Sequence, residues 1–113
     1  MPAIDAVSYG EIEIGGKTYY SDVVLWWDGK KAFLPKNHIL DADFLASLLK
    51  RKPEAVVIGI GLEGSVEILP GVKGTAKKHN VRLFVDKTEN AVDIFNGLIA
   101  RDKKAVAVLH VTL

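Results

Sequence analysis

The fold is decided by the stretch from Ala55 to Val111, which opens with Ala55-Val56-Val57-Ile58 and runs into Gly59-Ile60-Gly61-Leu62-Glu63-Gly64. The first four residues form a short apolar run without alternation, which is typical of a strand covered on both faces. Val81 to Val85 is predicted as the next strand, and Ala105 to Val111 is another nearly continuous apolar run that predicts a strand. Helical patterns separate these runs, and strands that alternate with helices predict a layered α/β fold.

Three helices are predicted around these strands. The first covers about Asp41 to Lys52, because the Asp41 carboxylate can accept a backbone N–H of the first turn. The second covers about Pro70 to His79, where proline suits the first turn and Asn80 suits a left-handed C-terminal position. The third begins at Thr88, which is predicted to cap it, and ends near Asp102.

The first half of the chain has a β pattern that predicts two hairpins. In the first, Glu11 to Ile14 alternates, Gly15-Gly16 offers a turn, and Lys17 to Tyr20 returns. In the second, Val23 to Trp27 leads into Asp28-Gly29, and the strand after it ends at Leu34. Glycine pairs and Asp-Gly suit tight turns because they accept positive φ. We expect this ribbon to pack beside the sheet of the second half or to extend it.

The composition excludes several classes of function. The 113 residues carry a formal net charge of +1 and no cysteine. The charge predicts no nucleic-acid or membrane partner, and the lack of thiols excludes disulfides and thiolate sites. No apolar run approaches the ~20 residues needed to cross a bilayer, and the first residues lack the pattern of a signal peptide. We therefore expect a soluble, cytoplasmic protein that needs no cofactor.

The glycine-rich string Gly59-x-Gly61-x-x-Gly64 resembles a dinucleotide-binding fingerprint. It follows a credible strand, and Asp86 lies at about the distance where a ribose-binding acid would fall. The fingerprint also requires a helix to start at the last glycine, but Ser65 to Leu69 predicts extended chain. The favoured interpretation is that Gly59 and Gly61 let the chain turn sharply at the carboxyl edge of the sheet, where α/β proteins often bind ligands.

The candidate catalytic and metal-binding residues form no coherent set. His38, His79 and His110 are far apart in sequence and make no paired metal motif. Ser65 lies between acidic residues but not in a nucleophile elbow, which favours a polar loop. The lysine and arginine clusters, including Lys50-Arg51-Lys52, are interpreted as solvated surface. Trp26-Trp27 places adjacent rings on opposite sides of a strand, where loops are expected to cover both partly.

The string Thr88 to Leu98 fits the pattern T-x-x-A-x-x-x-[Y/F]-N-x-L. Together with Ile58-Gly59-Ile60-Gly61 upstream and Val106 to His110 downstream, it resembles the Mth-domain family, which includes an animal adipogenesis-associated protein and, more distantly, a mitochondrial complex I assembly factor. The match raises the hypothesis that this chain is the archaeal founding member. The sequence departs from the family at Ser65 to Leu69 and around Trp26-Trp27.

The resemblance implies a fold and a range of functions. The length predicts a single domain over residues 1–113. The resemblance, which runs from about Ile12 to the C-terminus, implies an α/β fold with three layers around a mixed central sheet. With the strand pattern, we expect this sheet to be largely parallel and the N-terminal half to form β hairpins. The resemblance implies no established enzymatic activity, and roles in protein association or regulation. The motif positions Gly59, Gly61, Thr88, Ala91, Phe95 and Asn96 are all present, and Asn96 is expected to satisfy backbone at the edge of its helix.

We therefore predict a non-enzymatic protein-binding or assembly module, with enzymatic activity left open. The alternative is a small-molecule or anion-binding enzyme with a pocket at the carboxyl edge of the sheet. The candidate residues of that pocket are Gly59, Gly61, Asp86, Thr88, Asn96, His38 and His110. A third hypothesis is a homo-oligomer joined along an exposed edge of the N-terminal ribbon.

Overall fold

The computed structural model describes residues 3–34 and 39–112. The strands are β1 (Ile4–Ser8), β2 (Glu11–Ile14), β3 (Lys17–Tyr19), β4 (Val23–Trp26), β5 (Lys31–Phe33), β6 (Ile39–Leu40), β7 (Ala55–Gly59), β8 (Glu67–Ile68), β9 (Arg82–Asp86) and β10 (Ala105–Leu109). The helices are α1 (Ala42–Leu49), α2 (Gly71–Lys78) and α3 (Thr88–Ala100). None of the described helices is long and apolar enough to cross a membrane.

The central sheet is mixed and has the order β5-β4-β10-β7-β9. Strands β10, β7 and β9 are parallel, whereas β4 joins β10 and β5 joins β4 in antiparallel fashion. The second predicted hairpin therefore extends the sheet. The first hairpin, joined by β1, forms a separate sheet in the order β1-β2-β3, and β6 and β8 form a short parallel pair. The N-terminal half was predicted to pack beside the central sheet or to extend it, and its two hairpins do one each.

Alternating side chains of the central strands fill two cores, one on each face of the sheet. Val57, Ala107 and Leu109 face α3 and the small sheet, where Phe95 is fully buried. Val56 and Val108 face the opposite side, which is covered by α1 and α2. Because both faces are covered, the strands show the continuous apolar runs of the sequence. The predicted three-layer α/β fold is confirmed.

The predicted helices are present but shorter than expected. The Asp41 carboxylate accepts the Phe44 N–H at 2.9 Å, which confirms it as the N-cap of α1. That helix ends at Leu49 because the chain turns through Lys52, whose φ of 56° is left-handed. Asn80 has the same φ, as predicted for the end of α2. Strand β1 was not predicted, because its sequence shows no clear alternation of apolar residues.

Arg51 corrects the interpretation of its basic cluster as purely solvated surface. Its guanidinium lies over the rings of Trp26 and Trp27, at 4.5 and 4.9 Å from their centroids. The same group donates a 2.7 Å hydrogen bond to the carboxylate of Asp28 in the adjacent turn. The arginine thus covers the tryptophan pair that the sequence expected loops to cover.

Candidate functional site

Four of the predicted site residues meet at the carboxyl edge of the central sheet. Strands β7 and β10 end there, and α3 begins there. Gly59 and Gly61 belong to the end of β7 and the turn after it, Thr88 is the first residue of α3, and His110 follows β10. Because parallel strands end at the same edge, residues distant in sequence become neighbours at this point.

The hydroxyl of Thr88 joins the three segments. It donates a hydrogen bond of 2.6 Å to the carbonyl oxygen of His110 and accepts one of 3.0 Å from the N–H of Gly61. Thr88 is completely buried, so these bonds replace contacts with water. The prediction that Thr88 caps α3 is wrong, because the N-cap position is Lys87 and the hydroxyl points to other segments.

Gly59 was predicted to be a turn residue, but the structure shows a different requirement for glycine at this position. It is the last residue of β7, where α3 packs directly on the backbone. A Cβ atom at this position would lie 2.8 Å from Oγ1 and 2.9 Å from Cα of Thr88. The second contact is with backbone, which cannot move aside without shifting the start of α3. Close approach of a helix therefore requires glycine here.

Gly61 does make the predicted turn, with a φ of 98°. Its carbonyl accepts the N–H of Thr88 at 3.1 Å, so the turn and the helix start are bonded in both directions. Replacing Gly61 by aspartate would strain the backbone, so this substitution would test the fold before it tested ligand binding. After Gly64 the chain forms β8, and α2 begins only at Gly71, which confirms the mismatch with the nucleotide fingerprint.

His110 is 2% exposed and also bonded within the chain. Its backbone N–H donates to the carbonyl of Gly59 at 3.1 Å, and Nδ1 of its ring lies 3.0 Å from the same oxygen. Since a carbonyl oxygen only accepts, this geometry assigns the proton to Nδ1. The ring thus holds the end of β10 against the end of β7.

Asp86 lies at the rim of this region and binds the first turn of α3. Its Oδ1 accepts the side-chain amide of Asn90 at 3.0 Å and the backbone N–H of Lys87 at 2.7 Å. These two hydrogen bonds, that of Asn90 first, hold the pKa of the Asp86 carboxyl below its usual range. The carboxylate is placed to stabilise the positive end of the helix.

Two predicted site residues are not part of this cluster. The Asn96 side chain accepts the N–H of Ile4 at 2.9 Å and donates to the carbonyl of Ile4 at 2.8 Å. It therefore joins α3 to β1, which agrees with the expectation that it satisfies backbone. His38 lies outside the described residues. Among residues 3–34 and 39–112, no three acidic, histidine or cysteine side chains lie close enough to hold a metal ion.

Sequence reasoning missed a surface formed by Tyr19, Tyr20 and Phe33, here called the aromatic surface. Tyr20 is 76% exposed and Phe33 is 55% exposed. The rings of Phe33 and the half-buried Tyr19 have centroids 5.5 Å apart. Tyr20 also borders a cleft of about 170 Å³ with Asp22 and Leu34. The signal available in the sequence was the aromatic pair Tyr19-Tyr20, of which Tyr20 directly follows strand β3.

Comparison with known proteins places this chain among proteins of the same architecture. A family model described as "Protein of unknown function (DUF498/DUF598)" matches residues 4–110. The conserved hypothetical protein PH1505 of Pyrococcus horikoshii is 24% identical, with 97% of this chain and 98% of that chain covered and a TM-score of 0.85. The protein MT938 is 23% identical over the full length of both chains, with a TM-score of 0.82.

A third structure links the architecture to the family expected from the sequence. A Bordetella pertussis protein whose solution structure is described as a Mth938-like domain is 18% identical. The match covers 97% of this chain and 85% of that chain, with a TM-score of 0.64. These likenesses confirm the resemblance to the Mth-domain family. At 23% identity, this chain and MT938 are distinct sequences.

Proposed function

Because residues 4–110 match its model, the chain belongs to the DUF498/DUF598 family of proteins of unknown function, and we propose that it is a non-enzymatic protein-binding module with an assembly or regulatory role. Its binding face is the aromatic surface of Tyr19, Tyr20 and Phe33. The observation that carries the proposal is the exposure of Tyr20 and Phe33, at 76% and 55%, beside the edge strand β5.

Exposed aromatic rings of this kind are typical anchors of protein interfaces. Tyrosine and phenylalanine are enriched in interface cores, where a few such side chains supply most of the binding free energy. All three residues of β5 are exposed, so a partner can reach this edge of the sheet. The ammonium groups of Lys17 and Lys31 lie 5.6 and 5.7 Å from the centroid of the Tyr19 ring. The surface therefore suits a partner with an apolar pocket and an acidic rim.

The positive rim also favours a different protein over a second copy of this chain. In a twofold dimer formed through this face, Lys17 and Lys31 of each copy would lie close to those of the other. Like charges held together at an interface oppose association. A partner with acidic groups would instead complete two favourable contacts.

The hydrogen bonds within the chain at the carboxyl edge of the central sheet support a non-enzymatic role. The hydroxyl of Thr88, the N–H of Gly61 and the carbonyl of Gly59 are each hydrogen-bonded within the chain. Groups used in this way are less available to a substrate than groups that point into a cleft. The alternative hypothesis of a ligand pocket at this edge stays a prediction.

The experiment compares the wild-type protein with a Tyr20→Ser/Phe33→Ser double variant. Each is used to capture partners from a lysate of the source organism, and the captured protein is then purified for calorimetry with both forms. We expect the double variant to lose at least about tenfold in affinity, since each buried aromatic anchor typically contributes about 1–2 kcal/mol or more. An unchanged affinity would contradict the proposal.

A matched control is Glu89→Ser/Asp93→Ser, which changes two exposed side chains of α3 to the same residue, outside the aromatic surface. It should bind the captured protein as the wild type does. Sedimentation velocity of the isolated protein tests the homo-oligomer hypothesis. If the wild type is a dimer and the double variant is a monomer, the partner bound by the aromatic surface is a second copy of this chain and not a different protein.

A further inference from the structure

Strand β9 forms one edge of the central sheet, and among the described residues it pairs with β7 alone. The backbone N–H of Arg82 donates to the carbonyl oxygen of Glu54 at 3.2 Å, and the carbonyl oxygen of Asp86 accepts the backbone N–H of Ile60 at 3.0 Å. Both of these groups therefore point inward to the β7 segment. Because successive residues of a strand direct their backbone groups to opposite edges, those of Leu83 and Val85 point outward.

The side chains of the same two residues line an open groove. Leu83 and Val85 form one wall with Val81, and α2 forms the other with Ala76 and two lysines. The groove has a volume of about 490 Å³. Val85 is 38% exposed there, although its neighbours Leu83 and Val81 pack on the core. An apolar wall thus runs alongside backbone donors and acceptors that have no strand partner within residues 3–34 and 39–112.

The charge of the groove selects among possible occupants. Lys73 and Lys77 line it, and α2 carries no acidic residue. Arg82 lies on the opposite face of β9, where its guanidinium covers Phe84 at 5.1 Å from the ring centroid. The acid nearest along the strand is Asp86, whose Oδ1 is bonded to the first turn of α3. The charged side chains that line the groove on the α2 side are therefore all positive.

We propose that β9 and the groove beside α2 bind an extended acidic peptide segment of a partner protein as an additional strand. Its backbone pairs with Leu83 and Val85, and its acidic side chains lie near Lys73 and Lys77. Addition of a strand to an exposed edge draws affinity from main-chain hydrogen bonds and specificity from alternate side chains. A second copy of this chain is disfavoured, because pairing two β9 strands would bring their lysines together.

This inference rests on the protein-binding role proposed above. It adds a second binding surface and identifies the bound segment of the partner as acidic. Its test uses a synthetic peptide and so can fail without the aromatic surface failing. The probe is a fluorescent eight-residue peptide of alternating glutamate and valine, compared with one in which lysine replaces glutamate. We expect the glutamate peptide to bind at least about tenfold more tightly at low salt, and equal binding would overturn the proposal.

Backbone pairing is tested with two N-methylated forms of the glutamate peptide, one methylated at odd positions and one at even positions. Alternate residues of the bound peptide direct their N–H groups to opposite edges, so only one of the two forms has its methyl groups toward β9. That form should lose binding, while the other form should keep it. Equal loss in both would overturn strand addition. In the protein, hydrogen exchange should slow at least about tenfold at the amides of Leu83 and Val85 but not at Phe84, whose amide already faces β7.

Charge is tested with Lys73→Glu/Lys77→Glu, which should reduce affinity at least about tenfold. The matched control, Lys50→Glu/Lys103→Glu, makes the same change at two exposed lysines outside both proposed surfaces and should keep wild-type affinity. Equal effects of the two double variants would overturn the assignment to this groove. Protection of Leu83 and Val85 that rises with protein concentration alone would assign the edge to a second copy and contradict the acidic peptide.

Discussion

The hydroxyl of Thr88 donates a 2.6 Å hydrogen bond to the carbonyl oxygen of His110, and the two residues are fully or almost fully buried. The same oxygen atom of Thr88 accepts the N–H of Gly61. One side chain therefore connects the turn after β7, the start of α3 and the end of β10. This connection explains why motif residues that are far apart in sequence lie together.

Removing the Thr88 hydroxyl should destabilise the protein. The substitution Thr88→Val keeps the shape but leaves the N–H of Gly61 and the carbonyl of His110 buried without their partner. An unsatisfied buried group costs about 1–3 kcal/mol, so we expect the free energy of unfolding to fall by about 2–4 kcal/mol. Urea denaturation measures this change.

The control is Thr88→Ser, which keeps the hydroxyl and removes one methyl group. It should cost only about 1 kcal/mol, the order expected for a lost buried methyl. Equal destabilisation by Val and Ser would show that the methyl group, and not the hydroxyl, holds this junction together.

Gly59→Ala should also destabilise the fold, by about 1–3 kcal/mol, because the new Cβ would meet the backbone of Thr88 at 2.9 Å. Thermal unfolding with the same instrument settings compares it with Gly97→Ala. Gly97 lies inside α3 with open space around a Cβ, so alanine there should stabilise by about 0.5–1 kcal/mol. A stable Gly59→Ala variant would show that α3 can move away from β7.

The sequence predicted the strands and helices well where burial is strong. The apolar runs of β7 and β10 are continuous because both faces of the sheet are covered, and that pattern is visible without a structure. The sheet order was not predictable, because α/β crossovers permit β10 to join either side of the earlier strands. Here it pairs with β7, and this pairing places His110 beside Gly59.

The candidate site was predicted in part. Gly59, Gly61, Thr88 and His110 do meet, because parallel strands end at one edge. The roles of these residues could not be predicted from the sequence, since close packing at Gly59 and the contacts of the Thr88 hydroxyl depend on tertiary geometry. The aromatic surface and the groove beside β9 were missed because exposure of an apolar side chain cannot be seen in a strand pattern.

Asn90→Ala should raise the pKa of the Asp86 carboxyl toward its ordinary value, since Asn90 makes the larger contribution to lowering it. A carboxyl whose pKa is depressed by folding stabilises the folded state above its unfolded pKa, ~3.9, and loses this contribution as pH falls through the folded value. The variant should therefore lose less stability on acidification. Titration by carboxyl NMR measures the pKa, with Asp28 as an internal control that should not change.

Arg51→Lys should lower the free energy of unfolding by about 1 kcal/mol while conserving charge. Lysine cannot stack a planar guanidinium over Trp26 and Trp27 and bond to Asp28 at the same time. Tryptophan fluorescence during urea denaturation reports both the stability and the local environment. Lys50→Arg, on the neighbouring exposed position, should change stability by less than about 0.5 kcal/mol. Equal stability of Arg51→Lys and wild type would show that charge alone suffices.

The central claim is that this chain acts by binding a protein partner. Native mass spectrometry of the protein purified from its source tests it most directly, in the wild type and in the Tyr20→Ser/Phe33→Ser variant. We predict a complex with a protein companion that is present in the wild type and absent in the variant. A reproducible adduct of small-molecule mass, with no companion in either form, would contradict the account and support a ligand pocket instead.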